Sequence, residues 1–130
     1  VLELSGGEGV KSLEHNHQVA LFRWAALNEK KWPELKAMYA VPNGGHRHKL
    51  TAYKLKAEGV KAGIPDIVLP VPRGKYGALF IEMKAGNNKP TKIQLEWHAL
   101  LRDLGNRVEV VYSWQSAANV IEKYLQGLDW

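Results

Sequence analysis

The chain contains no cysteine, which excludes disulfide staples and cysteine-ligated zinc or iron–sulfur sites and fits a reducing compartment. No apolar run reaches the roughly 18 residues that a membrane-crossing helix needs, and the first residues do not read as a signal peptide. A cytoplasmic protein is therefore expected. Acids are scarce in the middle of the chain, where Gly44 to Lys92 holds ten Lys or Arg against only Glu58, Asp66 and Glu82. Such a region should face an anion, and nucleic acid ranks above acidic protein or membrane because a polyphosphate releases counterions on binding. A solvated basic face explains the same charge equally well.

What is there is enough to fold. The 130 residues are 45% hydrophobic and 24% charged, which suits one globular domain over residues 1–130. The glycine-rich opening "VLELSGGEG", residues 1–9, is set aside as a flexible end. Leu13, Leu21, Trp24, Ala25 and Asn28 recur at helical spacing, predicting a first helix from Lys11 to Lys31 with Glu14, Gln18 and Leu21 on one side. Pro33 suits the start of a short second helix, "MYAV" (Met38 to Val41) reads as a brief strand, and Lys49 to Glu58 as a helix closed by Gly59. Asp66 to Leu69 and Ala78 to Lys84 form two strands of a hairpin whose loop carries Pro72, Arg73, Gly74 and Gly77. Ile93, Trp97, Leu100, Leu101 and Leu104 then mark an amphipathic helix stopped by Gly105, with Trp97 a candidate for the core. A strand from Arg107 to Tyr112 and a helix capped by Ser113 complete the order, which predicts a mixed central sheet flanked by helices.

The charges of the hairpin stand out. Alternation puts Phe80, Glu82 and Lys84 on one face of their strand and Leu79, Ile81 and Met83 on the other. With the apex near Gly74, Asp66 and Glu82 lie equally far from it and should stand opposite one another, with β-carbons roughly 5 Å apart. Two like charges on a partly buried sheet repel and resist desolvation, and a divalent cation would compensate both. Oxygen ligands and the absence of cysteine favour Mg²⁺ or Mn²⁺ over zinc. A lysine beside such an ion can orient or deprotonate water, or stabilise charge on a phosphate, so these parts suit phosphodiester hydrolysis. A surface hairpin with an ordinary Glu–Lys pair and a turn-type Asp after Pro65 is the competing reading.

"GIPD", followed after fifteen residues by "EMK" and then by "KIQ" at the start of the next helix, resembles the active-site signature of the PD-(D/E)xK nucleases, and most closely the VRR-NUC (virus-type replication-repair nuclease) family. The resemblance extends to "LEHNHQVALFRW", "LKAEGVKAGIPDIVL" and "KPTKIQLEWHALLRDLGNRVEVVYS", and so covers Leu13 to Ser113. It implies an α/β restriction-endonuclease-like core (αβββαβ) with Asp66 and Glu82 as metal ligands, the Met83 backbone carbonyl as a third, and Lys84 as the catalytic lysine. Glu14 would complete the metal site directly or through water, and Gln94 would help position lysine, water or phosphate. Arg47, His48 and Lys61 are candidate phosphate contacts. The family further implies a Mg²⁺- or Mn²⁺-dependent endonuclease of phage or prophage type, a homodimer cutting branched DNA such as four-way (Holliday) junctions. A nucleic-acid-binding module that kept the fold without the catalysis is the alternative.

Other strings are discounted. "EHNH" spells the name of another metal nuclease class, but His15 and His17 are two apart on a predicted helix and diverge. His46 and His48 are poorly spaced for a metal, and "SGGEG" lacks the Lys-Ser/Thr ending of a phosphate loop. No organic cofactor is expected.

Overall fold

A computed structural model describes residues 8–42 and 49–130. Helix α1 (Glu8–Leu27) ends earlier than its composition predicts. The side chain of Asn28 turns back to donate to the Trp24 carbonyl at 2.8 Å, and the Trp32 N–H bonds the Asn28 carbonyl at 2.8 Å, so the chain leaves the helix in a tight turn. Pro33 then opens a single 3-10 turn, Pro33–Ala37, whose Leu35 is buried.

Among the described residues four strands follow in the spatial order β1-β2-β3-β4. They are β1 (Tyr39–Ala40), β2 (Ile67–Leu69), β3 (Leu79–Met83) and β4 (Arg107–Val111). The first three run antiparallel and β4 is parallel to β3, which makes the sheet mixed, as expected. Between β1 and β2 lies α2 (Lys49–Ala57), which keeps only Leu55 partly covered among residues 51–57. Helix α3 (Lys92–Asp103) makes the crossover that a parallel β3–β4 pair needs. Helix α4 (Trp114–Leu125) closes the order, its first turn capped by the Ser113 hydroxyl on the Ser116 N–H at 3.1 Å.

Leu79, Ile81 and Met83 point from β3 into the main core, where they join Leu21 and Ala25 of α1 and Ala117, Ile121, Tyr124 and Leu125 of α4. Tyr124 satisfies its hydroxyl by donating to the Val71 carbonyl at 2.7 Å. Phe80, Glu82 and Lys84 face the other way, and on that side His98 of α3 reaches Glu82. One expectation fails here. The apolar stripe of α3 does not face the core: Ile93, Leu100 and Leu104 are 54%, 47% and 69% exposed, and the residue that α3 buries is His98. The helix is turned so that Gln94 and His98 meet β3, which leaves the stripe at the side. Trp97 is half-buried there, its indole N–H donating to the Ala62 carbonyl at 2.9 Å.

Candidate active site

The site forms where β2 begins and β3 ends. The ladder pairs Ile67 with Ile81, so Asp66 and Glu82, one step further along, stand opposite each other as the turn residues predicted. Two hydrogen bonds help to hold Asp66 in place. Its carbonyl accepts the Val41 N–H at 2.7 Å, extending the β1–β2 pairing, and its Oδ2 accepts the Met83 N–H at 2.8 Å. The carboxylate thus takes the place of a backbone acceptor at the end of the ladder, which fixes it beside Glu82.

Upstream, Gly63 has φ +85°, and a β-carbon there would collide with the Ile93 side chain. Glycine meets both demands of that approach to Asp66: a left-handed backbone and contact with α3.

Glu82 is 1% exposed and Lys84 5% exposed, although both are charged residue types. Burial pushes the Glu82 carboxyl up from its ordinary 4.5 to about 9, with the hydrogen bond and charge of Asp66 adding to the effect, Lys84 opposing it and Glu14 reinforcing it. The two opposed carboxylates therefore hold a proton at neutral pH when no cation lies between them. Such a pair suits a hard divalent cation that takes carboxylate oxygens and keeps several waters. The described residues contain no group of three or more His, Cys, Asp or Glu side chains placed to hold a metal directly. Glu14 lines the same groove and takes the Asn88 side-chain N–H at 3.2 Å.

Gln94 comes from the first turn of α3. Its side-chain oxygen accepts the Thr91 N–H at 2.9 Å while the Thr91 hydroxyl accepts the Gln94 N–H at 3.2 Å, a reciprocal capping box. That leaves its amide NH₂ aimed at Glu82 Oε2, at 3.5 Å, the long limit for a hydrogen bond. One turn on, His98 Nε2 lies 3.3 Å from Glu82 Oε1. Burial, with Arg102 and Lys84 adding to it and Asp66 opposing, lowers the His98 pKa and keeps the ring neutral.

A groove of about 1090 Å³ joins these residues, lined among others by Glu14, Gln18, Asp66, Glu82, Lys84 and Gln94. All five expected catalytic side chains thus share one cavity wall, as does Met83. Lys61 is exposed and is not part of that lining, and Arg47 and His48 lie outside the described residues. His15 and His17 do diverge: His15 borders the groove, whereas His17 Nδ1 accepts the Trp114 N–H at 3.1 Å. Sequence reasoning missed His98 and Asn88. Nothing in the residue pattern marks Asn88, but His98 stands four after Gln94 and so on the same helix face.

The pattern of the VRR-NUC domain family matches residues 11–115. A solved structure described as "VRR_NUC domain protein" superposes with a TM-score of 0.76 at 29% identity, over 90% of this chain and 91% of that one. "Putative nuclease p44" of Acyrthosiphon pisum secondary endosymbiont phage 1 is 44% identical over 62 residues, 48% of this chain and 63% of that relative's length. The match to p44 therefore spans less than two thirds of that relative. Among the described residues no helix is long and apolar enough to cross a membrane. With sequence pattern and three-dimensional likeness agreeing over most of its length, the chain belongs to the VRR-NUC nuclease domain family and has its restriction-endonuclease-like fold.

Proposed function

We propose that the protein is a Mg²⁺- or Mn²⁺-dependent endodeoxyribonuclease. The observation that carries this is the opposition of two carboxylates, the half-buried Asp66 and the buried Glu82, in a groove that Lys84 also lines. Asp66, Glu82 and the Met83 carbonyl would hold the cation, with Glu14 acting through water. Bound there, it would supply Lewis-acid polarisation of the scissile phosphate and offset the charge of the carboxylates. Lys84 orients the attacking water or stabilises the phosphate oxygens; the water oxygen bonds to phosphorus as the P–O bond to the leaving sugar oxygen breaks, and the proton given up by the water passes through solvent to that oxygen. Gln94, tied to Thr91, steadies Glu82 and the reacting groups beside it.

DNA as substrate is supported by the basic centre of the chain, including the exposed Lys54, Lys56 and Lys61 around α2. We further propose a phage-encoded homodimer that cuts branched DNA such as four-way junctions, since paired sites cleave two strands symmetrically. The exposed stripe Ile93, Leu100 and Leu104 supplies an apolar face for the second copy. A labelled four-way junction and a linear duplex, incubated with Mg²⁺, Mn²⁺ or chelator, test the reading together with Asp66→Ala and Lys84→Ala. Metal-dependent cutting, lost in both variants and preferring the junction, is expected. Binding without cutting under any metal would instead identify a non-catalytic nucleic-acid-binding module.

A further inference from the structure

We propose that His98 is a positioning residue that, with Gln94, clamps the Glu82 carboxylate for metal binding; this rests on the metal-dependent reading above. His98 and Glu82 are each 1% exposed, and His98 Nε2 sits 3.3 Å from Glu82 Oε1. Among the described residues, the other ring nitrogen, Nδ1, is buried with no hydrogen-bond partner. A buried imidazole that leaves one nitrogen unpaired is a poor choice of filler beside a helix–sheet contact, where an apolar side chain would leave nothing unsatisfied. Among the described residues, its one hydrogen-bonding contact is with Glu82. The neutral tautomer that carries its proton on Nε2 donates to the carboxylate and leaves Nδ1 as a bare acceptor, so no N–H is orphaned.

The clamp has two points. Gln94 and His98 lie one helical turn apart and approach different oxygens, Oε2 at 3.5 Å and Oε1 at 3.3 Å. Donors on both oxygens from the side of α3 fix the rotation of the carboxylate about its last bond. The lone pairs that remain then face Asp66 and the groove. A ligating carboxylate held in this way loses little freedom when a cation arrives, and removing such outer partners commonly costs about 10–100-fold in metal affinity or activity.

The test is calorimetric titration of Mn²⁺ into wild type, Asp66→Ala, His98→Gln, His98→Leu and His98→Met, with melting curves of each in chelator. His98→Leu and His98→Met lack the donor and should bind Mn²⁺ about 10–100-fold more weakly, whereas His98→Gln, which keeps an N–H donor, should stay within about threefold of wild type. In cleavage assays the loss should lie in the Mn²⁺ concentration required rather than in the rate at saturation. Wild-type affinity in either apolar variant overturns the proposal, and so does an equal loss in His98→Gln. No Mn²⁺ binding by wild type beyond that of Asp66→Ala would overturn the metal-dependent reading along with it.

Discussion

Asp66 and Glu82 face each other across the β2–β3 ladder, and the Asp66 carboxylate reaches one residue further to accept the Met83 N–H at 2.8 Å. The pair is thereby locked at short range whatever its charge. Like charges held together in this way must be relieved by a proton or by a cation.

The first prediction follows from the proton. The folded Glu82 pKa of about 9 lies above its ordinary 4.5, so between those values the folded state holds more protons than the unfolded chain. Stability from this group is complete below about pH 4.5 and is lost as pH rises through about 9. Glu82→Gln removes the ionisation. In chelator, its melting temperature relative to wild type should climb with pH, passing wild type by about 3 °C or more in mildly alkaline buffer. Parallel melting curves at all pH values would refute it.

Lys84 is expected to matter to the reaction more than to the metal. Lys84→Met keeps the length of the side chain without its amine. Cleavage should fall about 10²–10⁴-fold while Mn²⁺ affinity changes little. Single-turnover rates at saturating Mn²⁺, set beside calorimetry, measure the two separately.

Gly63→Ala should destabilise the fold by about 1–3 kcal/mol through two additive faults, a strained left-handed backbone and overlap with Ile93. Combining it with Ile93→Ala relieves only the overlap. The double variant should therefore recover part of the loss by chemical denaturation; full recovery would mean that the φ of +85° costs nothing.

The exposed side of α3 predicts the assembly. Leu100 and Leu104 are 47% and 69% exposed, so Leu100→Glu with Leu104→Glu should leave the melting temperature near wild type. Sedimentation should shift from dimer to monomer. A wild type that sediments as a monomer, or a variant that stays dimeric, removes this face from the proposed assembly.

Much of the site was legible because a hairpin converts counting into geometry. The register came out right even though the tight turn is centred between Gly74 and Lys75, where Arg73 and Tyr76 bridge, rather than on Gly74. One residue of slack between turn and ladder restores the pairing of Asp66 with Glu82. The element order was equally readable, since Gly59, Gly105 and Ser113 each punctuate a helix end. The rotation of α3 was not. Apolar spacing locates a helix and its stripe, but which side meets the sheet is decided by tertiary contacts such as that of Glu82 with Gln94 and His98. "TKIQ" did carry a legible signal, a capping box, which would have tied Gln94 to the helix start.

Thr91 is exposed, yet the same amide that closes the first turn of α3 through this residue also points at Glu82. Fraying of that turn and loosening of the carboxylate are then one local equilibrium. Surface chemistry at an exposed threonine outside the groove lining, including its replacement by a residue unable to cap, becomes a dial on how long the site stays assembled between encounters.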